Sequence, residues 1–315
     1  MLCLHSLEDA SEIFKALSTN TRIQIMDLIY HNQNLSMNDL ANLLGITNSA
    51  VTLHINKLEK AGLIRISTTS GKRGIQKIIL PLYDRIIIDM FKPENNRALP
   101  YYEDSIAIGQ YTKADIHPTC GIATNQEIIG ELDDPRVFSY PERFKASVLW
   151  LGNGSIEYNL PNRLRAGQLI RELQISFEIS SECPSFNNDY PSDIHFYIND
   201  KLLGVWVSPG DYGDRKGLIS PGWWPAPLNQ YGLLKTLLIN EKGTFIDGTH
   251  KIGDVTINDL AIDYNSEINL KFAVPKDTAN CGGMTLFGDE FGDYSQNINM
   301  KLYYLNKEIK EENNA

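Results

Sequence analysis

Hydrophobic residues recur at helical spacing over residues 48–60. Val51, Ile55 and Leu58 lie at i, i+4 and i+7, which predicts one apolar face of a helix. A second short apolar stretch precedes this segment, and Gly45 lies between the two. Glycine accepts the left-handed conformation that a tight turn after a helix requires. The pattern therefore predicts two short helices joined by a turn at Gly45.

The chain before this helix pair also has helical periodicity. Residues 4–16 and 19–31 each predict an amphipathic helix. Ser36 is a suitable N-cap for the third helix, because its hydroxyl can accept from a free amide of the first turn. Asp39, three residues later, occupies the second position of a capping box, where Glu or Gln is more usual. Four helices are thus expected before residue 62.

After the fourth helix the hydrophobic period changes from helix to strand. Leu63–Thr69 and Ile75–Leu80 are rich in Ile and Thr and are separated by a glycine-rich, basic segment that contains Lys72 and Arg73. This pattern predicts a β-hairpin, a "wing" whose basic tip would meet phosphates or a minor groove. The alternative is an ordinary solvated hairpin. The next apolar run, Tyr83–Phe91, fits a helix or a strand, and a helix is favoured.

The second part of the chain shows short alternating runs between Gly, Pro, Asn and Asp clusters, with no alternation of strands and helices. Asn199-Asp200 suits a two-residue hairpin turn. The chain is therefore predicted to be α+β, with an antiparallel β-sandwich of jelly-roll type following the helical domain. The predicted strands are Ser155–Leu160, Leu173–Ile179, Asp193–Ile198, Leu202–Val207, Thr236–Ile239, Leu260–Tyr264, Ile268–Ala273 and Met300–Leu305. The expected boundaries are a helical domain at 1–92, a linker at 93–99, a β domain at 100–306 and a polar tail at 307–315.

Charge is distributed unevenly between these two parts. The 315-residue chain has a net charge of −10, but residues 1–92 carry ten Lys/Arg and eight Asp/Glu, for a net +2. The remainder carries nineteen and thirty-one, for a net −12. An acidic body repels DNA, so any contact with DNA is expected from the first part.

Composition also limits the compartment and the chemistry. No apolar run is long enough for a transmembrane helix, and the N-terminus lacks the pattern of a signal peptide, so a cytoplasmic protein without a membrane partner is expected. The four cysteines are far apart and form no CxxC pair. Reduced structural thiols are favoured over a disulfide or a zinc site, and no metal or other cofactor is predicted.

The predicted fourth helix is the candidate DNA-binding element. Opposite its apolar face it carries small polar side chains, which can reach base edges and phosphates when such a helix lies in a major groove. With the basic tip of the hairpin, the predicted DNA-binding residues are Thr47, Asn48, Ser49, Thr52, Leu53, Asn56, Lys57, Lys72 and Arg73.

About 80 residues resemble the winged-helix domain of the ArsR type of bacterial transcriptional regulators. The likeness is carried by FKALSTNTRIQIMDLI at 14–29, with Arg22 at the family's Arg position, and by AGLI at 61–64. In the fourth helix it is carried by Thr52, His54, Ile55 and Leu58. The resemblance implies a homodimeric repressor that reads a palindromic double-stranded operator, with the first and last helices of the domain forming the dimer contact. The Cys-x-Cys motif of metal-sensing members is absent, so His54 is interpreted as a surface or packing residue.

The β domain contains a stretch of unusual composition over 205–230, where aromatic rings alternate with prolines, glycines and charged side chains. A long ordered loop is expected there, because prolines and glycines interrupt regular structure. Rings beside carboxylates and amides can stack on the C–H faces of a sugar and bind its hydroxyl groups. The alternative is that the tryptophans close the end of the sandwich. The candidate effector-binding residues are Trp206, Asp211, Tyr212, Asp214, Arg215, Trp223 and Trp224. In a further loop, Asp289, Glu290 and Asp293 suit a solvated acidic surface better than a cation site.

No enzyme motif is recognisable in the chain. There is no nucleophile elbow, no phosphate-binding glycine loop and no His-x-x-x-His pattern, and the six histidines are scattered. The sequence therefore predicts a non-enzymatic transcriptional repressor whose β domain senses a small molecule, a carbohydrate being favoured. Two alternatives remain open: a β domain that serves protein interaction or dimerisation without a ligand, and a glycosidase whose carboxylate pair only the fold would reveal.

Overall fold

The computed structural model describes residues 2–4, 7–32, 35–71, 74–83, 86–88 and 99–307. The chain separates into two compact units, Met1–Arg97 and Ala98–Ala315. Of the predicted linker 93–99 only Leu99 is described, and of the predicted tail only Lys307.

The described residues of the first unit form four helices and four short strands. The two predicted helices around Gly45 are confirmed. The first helix begins later than predicted, at Ser11, since Leu2–Leu4 is extended and residues 7–10 form a turn. The elements are β1 (Leu2–Leu4), α1 (Ser11–Leu17), α2 (Asn20–His31), α3 (Met37–Leu44), α4 (Asn48–Lys60), β2 (Ile64–Gly71), β3 (Gly74–Pro81) and β4 (Ile86–Ile88).

The favoured fifth helix over Tyr83–Phe91 is wrong where the structure describes it. Residues 86–88 form β4, which pairs in parallel with β1, Leu2 opposite Ile86 and Leu4 opposite Ile88. Three consecutive isoleucines favour the extended conformation, because β-branched side chains lose χ1 freedom in a helix and pack well on a pleated surface.

Local contacts fix both ends of α3. The Ser36 hydroxyl accepts from the Asp39 amide at 3.2 Å, and Asp39 Oδ2 accepts from the Ser36 amide at 2.8 Å, so the predicted capping box is formed. The Ser36 hydroxyl, which also donates to Asp39 Oδ2 at 2.6 Å, and the Ser36 amide together hold the pKa of Asp39 below its usual value. Gly45 ends α3 with φ of 65°, as expected for a left-handed cap. Ile25, Leu40 and other buried aliphatic residues then pack α2, α3 and α4 together.

Between residues 99 and 307 the second unit forms twelve strands and four short 3-10 helices, the latter at Ile108–Gln110, Pro135–Ser139, Pro141–Lys145 and Asn258–Leu260. The strands are β5 (Tyr101–Ile106), β6 (Lys113–Ala123), β7 (Val148–Leu160), β8 (Gln168–Ser180), β9 (Ser192–Ile198), β10 (Lys201–Ser208), β11 (Leu233–Asn240), β12 (Gly243–Ile246), β13 (His250–Gly253), β14 (Ile268–Val274), β15 (Met284–Phe287) and β16 (Ile298–Asn306).

All twelve strands belong to one connected antiparallel sheet with two arms. One arm has the order β6-β7-β14-β9-β10, and the other has β5-β16-β8-β11-β12-β13. Strand β15 pairs with both β7 and β8 and thereby joins the arms. At the far ends the arms approach each other, since a Cβ atom added at Gly204 of β10 would lie 2.4 Å from the carbonyl oxygen of Ile252 in β13. The predicted antiparallel β-rich domain is confirmed, as a nearly closed sheet.

Seven of the eight predicted strands lie within observed strands, and the exception is informative. Leu260–Tyr264 is irregular, beginning at the end of a 3-10 helix, and Ala261 has φ of 50°. The Asp259 side chain accepts from the Thr256 amide at 2.8 Å. Such local side chain-to-backbone bonds compete with strand pairing. Asn199 and Asp200 both have positive φ, which confirms the predicted tight turn between β9 and β10.

Aromatic residues form the centre of the β domain. Tyr158, Phe177, Phe196 and Phe272 are fully buried, and the rings of Phe177 and Phe272 meet edge to face with centroids 4.9 Å apart. Edge-to-face pairs add to the stabilisation from burial. This core supports the irregular segments that follow β8 and β10.

Candidate nucleic-acid interface and aromatic cavity

Helix α4 separates its core-facing and solvent-facing side chains cleanly. Val51, Ile55 and Leu58 are fully buried. Leu53 is 66% exposed, which is unusual for a leucine and suits a contact with a thymine methyl group. The seven residues of the predicted DNA-binding set that lie on or beside α4 are all exposed: Thr47, Asn48, Ser49, Thr52, Leu53, Asn56 and Lys57.

Hydrogen bonds within α4 orient two of these side chains. Thr47 is the N-cap, and its Oγ1 accepts from the Ala50 amide at 3.2 Å. Thr52 Oγ1 donates to the Asn48 carbonyl oxygen at 2.8 Å. Both hydroxyl groups are thereby held close to the helix backbone. Asn48 and Asn56, by contrast, project amide groups that can donate and accept at a base edge.

Arg22 and His54, which carry part of the family resemblance, have packing roles. Arg22 is 4% exposed, and its guanidinium donates to the carbonyl oxygens of Ala16 and Lys15, the latter at 3.0 Å. It therefore ties the start of α2 to the end of α1. His54 is half-buried, and burial together with the nearby charges of Arg22 and Lys57 lowers its pKa.

The hairpin that follows α4 is confirmed, but its predicted basic tip lies outside the described residues. Strands β2 and β3 pair from Ile64 opposite Pro81 to Gly71 opposite Gly74. Lys72 and Arg73 are thus between the last described pair. Two further basic residues were missed by the sequence prediction, Arg65 on β2 and Lys77 on β3, and both are exposed.

The seven residues predicted to bind an effector are distributed over four places. Trp206 lies in β10 and is only 9% exposed, with Lys235 Nζ 5.1 Å from its ring centroid. It contributes to the central core of the β domain. The remaining six follow in the long irregular segment between β10 and β11.

Arg215 is the centre of the second place. Its Nη1 donates to Asp293 Oδ1 at 3.0 Å, and its guanidinium lies 3.7 Å from the centroid of the Tyr231 ring. Tyr212 stacks on Tyr231 with centroids 5.2 Å apart, and the Tyr231 hydroxyl donates to Asp214 Oδ1 at 2.7 Å. Ion pair, cation–π contact and stacking together hold the segment against the loop after β15.

Glu178, near the end of β8, also stabilises the region around Arg215. It is fully buried, and its carboxylate accepts from the amides of Gly232, Asp293 and Tyr294 at 2.7–3.1 Å. Burial raises the pKa of Glu178 to about 8, even though the amides favour its ionised form.

Trp223 and Trp224 belong to the third place, an aromatic cluster at one end of the sheet. Trp224 is 4% exposed, meets Trp150 and Phe291 edge to face, and donates from Nε1 to the Asn229 carbonyl oxygen at 2.8 Å. Trp223 is 37% exposed and donates to the Asn125 carbonyl oxygen at 2.6 Å. The two neighbouring tryptophans therefore differ in role, since Trp224 is largely core.

An open cavity of about 170 Å³ lies beside this cluster. Its rim is exposed and includes Leu132, Asp133 and Ser185, whereas its floor is buried. The lining residues are Thr119, Leu132, Asp133, Trp150, Glu182, Cys183, Pro184, Ser185, Trp224, Leu228 and Asn229. Of the seven predicted effector residues, Trp224 is in this set.

The floor of the cavity carries a buried carboxylate. Glu182 Oε1 accepts from Thr119 Oγ1 at 3.1 Å, and Oε2 accepts from Asn229 Nδ2 at 3.0 Å and Thr285 Oγ1 at 3.1 Å. Burial, with the Asp211 carboxylate nearby, holds the pKa of Glu182 well above its usual value.

Asp211 occupies the fourth place, behind this floor, and is fully buried. Its Oδ2 accepts from the Cys183 amide at 3.0 Å, whereas Oδ1 has no hydrogen-bond partner. Burial raises the pKa of Asp211 to about 7 and that of the Cys183 thiol to about 12. Asp211 thus positions the segment after β8 and does not face the cavity lining. The three described thiols, Cys120, Cys183 and Cys281, are free.

The sequence prediction missed Trp150, Glu182 and Asn229 because they come from separate segments. Trp150 lies inside β7, where it reads as an ordinary core residue. Glu182 follows β8 directly, in the sequence ISSEC, and a charged residue at the end of an apolar strand was the available signal. The pairing of β15 with β7 and β8 brings Trp150 and Glu182 to one end of the sheet, and Asn229 reaches them through its hydrogen bond to Glu182.

The acidic loop after β15 is bound to the protein more firmly than a solvated surface. Asp293 is 9% exposed and pairs with Arg215, while Glu290 accepts from Asn125 Nδ2 at 2.7 Å and Ser147 Oγ at 2.9 Å. The favoured solvated loop is therefore wrong for Asp293, whereas Asp289 and Glu290 are exposed as predicted. Across the described residues no cluster of three or more His, Cys, Asp or Glu is arranged to hold a metal ion.

Comparison with known families supports the first of these two sites. Residues 19–65 match the model of a winged helix-turn-helix DNA-binding family, a span that runs from the N-cap of α2 into β2. This match supports a DNA-binding transcription regulator. No curated protein matches the chain. Within the described parts of the chain, no helix has the length and apolar character needed to cross a membrane.

Proposed function

We propose that this chain is a one-component transcriptional repressor whose β domain senses a carbohydrate. It acts in the cytoplasm as a homodimer of ArsR-like type and catalyses no reaction. Operator DNA binds at α4 and at the hairpin formed by β2 and β3.

The exposed face of α4 carries this proposal. All seven predicted side chains on or beside the helix are available to a partner, while Val51, Ile55 and Leu58 fix the opposite face to the core. Asn48 and Asn56 supply base-edge contacts, and Lys57, Arg65 and Lys77 supply positive charge for phosphates. The acidic β domain, with its net charge of −12 over residues 93–315, disfavours any other DNA-binding surface.

The cavity in the β domain supports the sensing half of the proposal. It combines aromatic walls with buried acceptors, as small-molecule sites commonly do. A ligand alters operator occupancy only if it binds one dimer geometry better than the other. A coupling of about 1–3 kcal/mol changes an affinity roughly 5- to 150-fold.

A mobility-shift assay tests the DNA-binding half. The full chain should retard DNA from its own upstream region more strongly than unrelated DNA, and binding should weaken as salt is raised. The substitution Arg73→Ala should weaken binding to both DNAs alike. Equal, salt-independent retardation of the two DNAs by the wild-type chain would refute operator binding.

Addition of monosaccharides to the same assay tests sensing. One sugar of a panel should release the operator complex at a concentration that leaves the unrelated complex unchanged. If none does, and no sugar raises the melting temperature of the chain, the β domain acts without a sugar ligand, as an interaction module would.

A further inference from the structure

We propose that the cavity bounded by Trp150, Trp224 and Glu182 is the ligand site, and that it accepts one neutral sugar ring. This inference rests on the proposed sensing function and deepens it. It replaces a site spread along residues 205–230 with one assembled from five separate segments of the chain.

The size of the cavity limits the ligand. Its volume of about 170 Å³ is below the range of about 300–1,000 Å³ that drug-sized ligands occupy. An oligosaccharide or a nucleotide cannot be enclosed in this space, but a single small ring can enter from the exposed rim. Leu132, 53% exposed, stands at that rim beside Asp133.

The walls select a ligand with an apolar face. Trp150 and Trp224 are 6% and 4% exposed, and Leu132 and Leu228 complete the apolar part of the lining. The C–H face of a pyranose presents such a surface, and indole rings bind it by stacking and by exclusion of water.

The polar groups select a ligand that mainly donates hydrogen bonds. Glu182 Oε1 accepts from Thr119 alone, so it retains capacity for another donor. Asp133 Oδ1 accepts from the Cys120 amide at 2.8 Å, which leaves Oδ2 for a ligand. Hydroxyl groups of a sugar meet both carboxylates as donors.

A sugar hydroxyl both donates and accepts hydrogen bonds, whereas an ammonium ion only donates. A small cation that only donates is therefore the comparison that tests the ligand class.

Calorimetry and thermal shift on the full chain test the site. The probes are D-glucose, D-galactose, D-mannose, D-xylose and L-arabinose, with methylammonium chloride as the cationic comparison. At least one sugar should bind and raise the melting temperature, and methylammonium should not. Stabilisation by methylammonium instead of any sugar would overturn the assignment of ligand class.

A matched pair of variants locates binding. Leu132→Ala removes an apolar rim group and should weaken sugar binding about fivefold. Leu218→Ala is the control, because Leu218 is 54% exposed, lies in the long irregular segment and does not line the cavity. Glu182→Gln should weaken binding about tenfold through the lost acceptor. Because Glu182 is buried, Glu182→Gln can also alter folding. Its effect on binding is therefore interpreted only together with that of Leu132→Ala, which truncates an exposed side chain.

The outcomes separate this inference from the function on which it rests. If a sugar releases operator DNA and the affinities of wild-type, Leu132→Ala and Leu218→Ala chains are equal, sensing stands and this site is refuted. If the cavity variants weaken sugar binding but no sugar affects the operator complex, the site stands and the sensing proposal falls. Absence of sugar binding by a folded wild-type chain would overturn both.

Discussion

Helix α4 and the segment 205–230 differ in how their side chains meet the rest of the molecule. In α4, the chemically active groups are exposed and the partners that fix them lie within four residues, as with Thr52 and Asn48. In 205–230, most aromatic and charged side chains contact residues that are distant in the sequence. Arg215 pairs with Asp293, and Trp224 packs on Trp150. An unusual composition therefore marks a ligand surface only where the fold leaves its side chains free.

The prediction with the largest expected effect compares how much Trp224 and Trp223 contribute to the free energy of unfolding, given their different burial. Trp224→Ala should lower the free energy of unfolding of the β domain by about 3–5 kcal/mol, since it opens a cavity between Trp150 and Phe291. Trp223→Ala, at a position 37% exposed, should cost clearly less. Urea denaturation followed by fluorescence measures both. Equal losses would mean that the two residues share one role.

The second prediction tests whether side chains of α4 contact the base edges of the operator. Asn48→Ala should reduce discrimination between the operator and a single-base variant by about 1–3 kcal/mol, because an amide contact to a base edge is lost. Lys57→Ala should weaken binding to all sequences and lower the salt dependence. Competition mobility-shift assays give both quantities. The assignment fails if Asn48→Ala weakens all DNAs to the same extent.

A pH experiment tests the buried carboxyl groups of the β domain. The folded pKa of Asp211, about 7, exceeds its unfolded value, so the native state holds the proton more tightly. The resulting stabilisation is complete below about pH 4 and is lost as the pH rises through about 7. Asp211→Asn keeps the Cys183 contact and should reduce the loss of stability between about pH 5 and about pH 8 by at least about 1 kcal/mol.

The control for this experiment is Asp189→Asn, because Asp189 is exposed and lies in the same irregular segment as Cys183. Urea denaturation at the two pH values gives the slopes. If the Asp211→Asn and wild-type curves stay parallel across this range, the buried carboxyl does not contribute to the pH dependence.

The smallest effect concerns the local contacts of the first unit. Ser36→Ala removes the N-cap of α3 and should cost about 1 kcal/mol. Asn38→Ala, at an exposed position of the same helix, is the control and should be nearly neutral or stabilising. Thermal unfolding followed by circular dichroism distinguishes the two. A neutral Ser36→Ala would show that tertiary packing alone sets the start of this helix.

The same contrast explains what was predictable from the sequence. The bounds of α3 and α4, the caps at Ser36 and Gly45 and the hairpin depend on residues close together in the chain, and periodicity revealed them. The tight turn at Asn199-Asp200 belongs to the same class. Seven strands of the β domain were found from their alternation, but their order was not, because no local signal specifies which strands pair.

The cavity could not be predicted for a related reason. Thr119, Trp150, Glu182 and Trp224 lie on four segments that meet only after the sheet is formed. The strand β4 was missed because Ile86–Ile88 is too short for periodicity to decide, and its partner β1 lies more than eighty residues away. Trp206 was assigned to a ligand loop by composition, whereas its place in β10 directs it into the core.

Strand β15 connects the cavity to both arms of the sheet. Thr285, the second residue of this four-residue strand, donates to Glu182. The same strand pairs with β7 and with β8 and so joins the two arms of the sheet. A ligand that hydrogen-bonds to Glu182 would therefore be separated by one side chain from the strand that joins the two arms of the sheet.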